Sequence, residues 1–199
     1  MDQRNVASAF EDAPDEALLV AFANGDRAAG RTLLDRLAPK LFSHAARVLA
    51  DRTEAEDVVQ ETMLRLWKMA PDWRQGEAQV STWAYRVAVN LCTDRLRSRV
   101  HRPQVGIDGI AEPASTIASA VEQMTETERS AALDRALEIL PDRQRQAVVL
   151  RHLEGLSNPE IAAIMDIGVE AVESLTARGK RALTAALAGR KEELGYGDG

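Results

Sequence analysis

Three histidines, one cysteine and 31 acidic side chains are the groups most able to do chemistry in this chain, and their spacing argues against catalysis. His44, His101 and His152 are scattered, with no metal-ligand spacing between them. There is no glycine-rich phosphate loop and no nucleophile beside a base. A lone Cys92 excludes a disulfide framework and a cysteine-based zinc site, and suits a reducing cytoplasm. The expectation is a protein that is not an enzyme, with no catalytic residue, no metal and no cofactor.

The residues with informative spacing are those of interfaces. Residues 158–177 fit a helix-turn-helix. Small Ala162 sits where two helices cross, Asp166-Ile167-Gly168 supplies the turn, and Val172 and Leu175 anchor the second helix inward. Asp166 stands where glycine is usual, but Asp tolerates the left-handed conformation better than most residues. The second helix of such a pair enters the major groove; an ordinary αα-hairpin is the alternative. On a helix beginning at Ser81, Trp83, Arg86, Asn90, Asp94 and Arg97 fall within roughly 80° of arc at about 100° per residue. Opposite lie Ala84, Ala88, Leu91 and Cys92. Rings stack on unpaired bases, amides read base edges and guanidinium groups hold phosphates, so the stripe suits single-stranded nucleic acid as well as it suits plain solvent. On a helix from Glu54, the positions Ala55, Val59, Thr62 and Leu66 can face a core. Asp57 and Glu61 then stand one turn apart outside, a repulsive pair that Arg65 partly offsets. That face is either simply solvated or an acidic dock for a basic partner.

Helices must position all three. Asp15 can cap a short helix that Gly25 ends, and Asp26 starts a longer one through Leu34, Leu37, Leu41 and Val48, with Pro39 as a kink. Thr53-x-x-Glu56 reads as a capping box opening a third, and Pro71 to Gly76 as a loop before the Ser81 helix. From Arg102 the pattern lapses through Pro103, Gly106, Gly109 and Pro113. Thr125-x-x-Glu128 restarts it, before Leu133, Leu137 and Leu140. Pro141 begins a helix stopped at Gly155, Ser157-x-x-Glu160 caps a short one to Met165, and Val169 to about Leu187 forms the last. The fold class is all-α, with two small helical domains joined by a flexible acidic linker, the second a helix-turn-helix domain. The expected boundaries are a tail over 1–14, a first domain over 15–101, a linker over 102–124, a second domain over 125–188 and a tail over 189–199.

Composition agrees. Aromatics at 4% disfavour sheets, and the longest apolar run, Ala17 to Ala23, is far too short to span a bilayer. The net charge of −6 hides two cationic segments. Residues 86–102 hold five Arg against one Asp, and residues 174–191 hold five basic groups and no acid. Local phosphate contact follows from this, rather than a protein that coats DNA.

In order along the chain, these residues resemble an extracytoplasmic-function sigma factor of the bacterial sigma-70 superfamily. The run from Ala55 through Asp57, Val58, Gln60, Glu61 and Leu64 to Trp67 is similar to the helix that docks on the polymerase clamp. The run Ser81 to Arg97 resembles the promoter-melting and minus-ten helix, and Leu140 to Arg145 with Leu153 to Ser157 resembles the start of the minus-thirty-five domain. The resemblance covers about residues 15–188. It implies a cytoplasmic initiation subunit that binds core RNA polymerase, opens the minus-ten region of promoter DNA and reads the minus-thirty-five element as duplex. It also implies an anti-sigma partner and no membrane insertion. Core polymerase would be met by Asp57, Val58, Gln60, Glu61 and Leu64, and the minus-ten strand by Trp83, Tyr85, Arg86, Asn90 and Arg97. The minus-thirty-five element would be met by Glu173, Ser174, Arg178 and Arg181.

The recognition helix departs from the family. Glu173 stands where a base is frequent, and Leu175, Thr176 and Ala177 replace commonly basic or aromatic residues. A carboxylate among phosphates needs a donor, and the cytosine amino group is one. Glu173 is therefore expected to read a cytosine, with Ser174 assisting and Arg178 and Arg181 on phosphates, unless it turns to solvent. The alternative to a sigma factor is a stand-alone operator-binding regulator, which leaves the Asp57/Glu61 helix without purpose. A helical adaptor that binds no DNA leaves both cationic segments unexplained.

Overall fold

In a computed structural model, the structure describes residues 10, 12–74, 76, 79–101 and 130–188, and these residues contain no strand. The linker 102–124, the Thr125-x-x-Glu128 box and most of both tails lie outside the described residues. The first unit is four helices: α1 (Asp15–Ala23), α2 (Arg27–Leu49), α3 (Arg52–Met69) and α4 (Val80–His101), with a 3₁₀ turn at Ala70–Asp72. The second begins with a helix over 130–138 (α5). It continues through α6 (Asp142–Val148), a π-helical turn at Val149–Leu153, α7 (Asn158–Met165) and α8 (Val169–Ala188).

Local chemistry explains most helix ends, though not always by the expected residue. The Asp26 side chain accepts from the Ala28 and Ala29 N–H groups, as a cap should. Asp15 caps nothing: Pro14 precedes α1 with no side-chain cap, and Asp15 instead pairs with Arg36 at 3.0 Å. Asp51, not Thr53, caps α3, accepting from Glu54 N–H at 2.9 Å, because the helix begins two residues earlier than the Thr53 box requires. Val80, not Ser81, opens α4, and its N–H donates to Glu16 at 3.3 Å. The Ser157–Glu160 capping box forms, and its hydrogen bonds hold the Glu160 carboxyl below the usual range. α2 runs through Pro39 as a single helix.

One apolar core runs through both units. Leu33, Leu37, Leu41 and Val48 of α2 and Ala84, Ala88 and Cys92 of α4 join Val149, Leu150, Ile161 and Met165 of the second unit. Arg145, only 8% exposed, ties the units together. Its guanidinium donates to the carbonyls of Leu137 (2.9 Å), Glu138 (2.8 Å) and Leu140 (3.2 Å) at the end of α5. It also donates to the Val48 carbonyl near the end of α2 (2.7 Å). Four orphan carbonyls are thus met by one planar fork. Gly179 of α8 crosses α6 so closely that a methyl group there would overlap Val148.

Candidate docking and nucleic-acid interfaces

α3 divides its residues cleanly. Ala55, Val58, Thr62 and Leu66 are buried, while Asp57, Gln60 and Leu64 face outward, Leu64 being 56% exposed. Val58 is therefore corrected from a docking residue to a core residue. It stands three after Ala55 and four before Thr62, on the stripe the bundle buries, whereas Val59, expected inside, is only half-buried. The acidic pair is also better compensated than the sequence suggests. Arg65 bonds Glu61 at 2.8 Å, and Arg95 of α4 reaches Asp57 at 3.9 Å.

Beside this ridge, α2 and α3 leave an apolar groove of about 680 Å³ lined by Leu34, Pro39, Phe42, Met63, Leu64 and Trp67. Leu34, assigned inward by its spacing, is 38% exposed at its rim. The sequence reading passed over this groove, since its walls come from two helices. Arg52 stacks over Phe42 at 5.0 Å.

On α4, Arg86, Asn90, Asp94 and Arg97 are exposed along one stripe with Trp83 half-buried at its start, opposite buried Ala84, Ala88 and Cys92. Burial pushes the Cys92 thiol up to about 12, so it stays protonated and inert. Tyr85 does not share the stripe. It is 4% exposed, three residues before Ala88 and seven before Cys92, and its hydroxyl donates to Glu154 of the second unit at 2.9 Å. Burial, reinforced by the Glu154 carboxylate, raises the Tyr85 pKa. Tyr85 is thus corrected: in this structure it cannot stack on a base. Asn90 and Arg97 open on a cleft of about 460 Å³ whose far wall is Arg143, Gln146 and Met165 of the second unit.

The helix-turn-helix is formed by α7 and α8. Asp166 takes the left-handed conformation (φ 53°), and Ile167 N–H returns to the Ala162 carbonyl at 3.1 Å. Val172 is fully buried and Thr176 nearly so, which turns Glu173, Ser174, Arg178 and Arg181 outward. Arg178 donates to the Ser174 hydroxyl at 2.6 Å, so these two side chains are already paired on the helix surface. Among the described residues no helix is long and apolar enough to cross a membrane, and no group of three His, Cys, Asp or Glu could hold a metal.

Comparison with known proteins places these faces in a family. Residues 33–102 match the profile described as Sigma-70 region 2, and residues 130–183 that of Sigma-70, region 4. The RNA polymerase sigma-H factor of Pseudomonas aeruginosa is 31% identical over 182 residues, covering 87% of this chain and 93% of that protein. The ECF RNA polymerase sigma-E factor of Escherichia coli K12 is 31% identical over 181 residues, covering 87% and 94%. Among solved structures, CnrH in complex with the cytosolic domain of CnrY superposes with a TM-score of 0.65 at 26% identity, covering 88% of this chain and 97% of that one. The sigma factor RpoE bound to the anti-sigma factor NepR from Bartonella quintana shares the fold, with a TM-score of 0.64 at 23% identity over 79% and 96%. With α3, α4 and most of α2 inside the region 2 match and the helix-turn-helix inside the region 4 match, the chain belongs to the sigma-70 family, in its extracytoplasmic-function group.

Proposed function

We propose that residues 15–101 form the unit that docks on core RNA polymerase and captures the minus-ten strand, and residues 125–188 the unit that reads the minus-thirty-five element. The observation that carries this reading is the α4 stripe: Trp83, Arg86, Asn90 and Arg97 lie on one side of a helix within the region 2 match. On α3, Asp57, Gln60, Glu61 and Leu64 form the docking ridge; acids and an exposed leucine suit a basic, amphipathic partner helix. On α8, Glu173 reads a cytosine, Ser174 assists, and Arg178 and Arg181 hold phosphates. The protein works in the cytoplasm as a dissociable initiation subunit and catalyses nothing itself.

An anti-sigma partner is part of the proposal. It is supported by CnrH, solved with the cytosolic domain of CnrY, at 26% identity over most of both chains. An operator-binding regulator is not favoured, because it gives no role to a first unit that matches region 2.

Run-off transcription with purified core polymerase, with and without this chain, tests the reading. Promoter-dependent transcripts should require the chain; none with it present would overturn the assignment. Glu173→Ala should relax preference at one minus-thirty-five position by roughly 1–3 kcal/mol in a randomised library. Identical preferences in both proteins would remove the cytosine contact.

A further inference from the structure

The cleft of about 460 Å³ beside α4 is lined by polar groups from three helices. Asn90, Asp94 and Arg97 come from α4, Arg143 and Gln146 from α6, and Met165 closes the cleft from the end of α7. Gln146 is only 2% exposed, and its amide N–H donates to the Thr93 hydroxyl at 3.1 Å. No donor among the described residues reaches its carbonyl oxygen, so whatever fills the cleft must meet it. The Asn90 amide, the Asp94 carboxylate and the Arg143 guanidinium are exposed around the cleft, and none of them forms a side-chain hydrogen bond or ion pair among the described residues. An acceptor carboxylate, two amides and two cations thus converge on one small space.

We propose that this cleft is a binding site for a free guanine nucleotide. Guanine places two donors side by side on its pairing edge, the ring N–H and the exocyclic amino group, and a carboxylate accepts both at once. Asp94 supplies that carboxylate. Adenine and cytosine set an acceptor beside their amino group, which a carboxylate repels, so the same group rejects them. The Asn90 amide donates to the guanine carbonyl oxygen, and the buried Gln146 carbonyl oxygen accepts from a ribose hydroxyl. Arg97 and Arg143, on the two walls of the cleft, hold the phosphate between them. Met165 offers a polarizable apolar surface to the ring. The volume suits one small ligand, since such pockets begin at about 300 Å³. Asn90 and Arg97 also belong to the stripe read above as the minus-ten surface, so a bound nucleotide keeps a melted strand off them. That consequence rests on the proposed function; the site itself does not.

Isothermal titration calorimetry on the full chain tests the site with GMP, IMP, AMP and guanosine at one salt concentration. GMP should bind at a single saturable site. IMP, which lacks the amino group, and AMP should each bind about tenfold more weakly, about 1.4 kcal/mol. Asp94→Asn should abolish the preference for GMP over IMP. Arg143→Ala should weaken GMP about tenfold and leave guanosine, which has no phosphate, unchanged. Both side chains are exposed, so neither substitution disturbs the core. In fluorescence polarisation, GMP should displace a labelled pool of random single-stranded DNA; GMP that binds without displacing it overturns the consequence for strand capture. No saturable GMP binding at millimolar concentration, GMP, IMP and AMP bound alike, or wild-type behaviour in both variants overturns the site. If a guanine-bearing oligonucleotide binds and GMP does not, the cleft belongs to the melted strand and the nucleotide site is likewise overturned. A chain that supports promoter-dependent transcription without binding GMP loses this inference alone, so its failure and that of the proposed function are distinguishable.

Discussion

The outward face of α3 and the outward face of α4 belong to the same four-helix unit, yet the fold treats them differently. On α3, acids and an exposed leucine border an open apolar groove, and nothing from the second unit approaches them among the described residues. On α4, Asn90 and Arg97 look across a cleft to Arg143 and Gln146, and neighbouring Tyr85 is bonded to Glu154. Both faces are polar stripes at helical spacing, so periodicity cannot separate them. The difference teaches that a binding face is defined by what else the chain packs beside it: α3 borders a groove of its own unit, whereas α4 shares a cleft with the second unit.

Four perturbations break or sharpen this contrast. The largest effect is expected on the open face. Asp57→Lys with Glu61→Lys should weaken core-polymerase binding by at least about a hundredfold, about 2.7 kcal/mol. Unfolding temperature should hardly move, because exposed ion pairs such as Glu61–Arg65 contribute only about 0–1 kcal/mol. Affinity for core equal to wild type would end the docking role of α3.

The next effect lies in the core between α2 and α4. His44 is fully buried, edge-on to Tyr85 with ring centres 6.1 Å apart, and neither ring nitrogen has a hydrogen-bond partner. Burial lowers its pKa from 6.5 to about 4. The unfolded chain therefore takes up a proton that the folded chain refuses. The contribution of His44 to stability is complete above pH 6.5, falls as pH drops, and is lost by pH 4, amounting to about 3 kcal/mol. Urea unfolding of wild type and His44→Leu between pH 7 and pH 4 should show a shallower pH dependence in the variant. Parallel curves would refute the assignment.

A smaller effect is expected at the crossing of α6 and α8. Gly179→Ala should cost about 1–3 kcal/mol, read by thermal unfolding, since Val148 must move to admit the methyl group. Full stability in this variant would show that the crossing is loose. The smallest effect has the opposite sign. Ala50 ends α2 in the left-handed region at φ 52°, so Ala50→Gly should stabilise the chain by about 0.5–1 kcal/mol. A loss of stability would mean that the entropy glycine adds to the unfolded chain outweighs the relief.

Much of this was legible before any coordinates. The helix-turn-helix spacing led to α7 and α8, with Ala162, Asp166 and Val172 in the places assigned to them, because such a hairpin is specified by local sequence. The α4 stripe was legible for the same reason: a period of 3.6 puts Arg86, Asn90 and Arg97 together whatever surrounds them. Val58 and Tyr85 were misread although the same periodicity places both on buried stripes, since the resemblance of a motif says which helix binds and not which of its residues face out.

The sequence by itself determined the helices, the caps at Asp26 and Ser157 and the family, because these depend on residues a few positions apart. Only the tertiary structure decided that Glu154 meets Tyr85 and Ser43, that Arg145 reaches Val48, and that α2 and α3 leave a groove between them. Those contacts join residues 69 to 111 positions apart, or depend on the gap between two helices. Nothing in local spacing encodes them: the packing of one apolar core across both units brings them together.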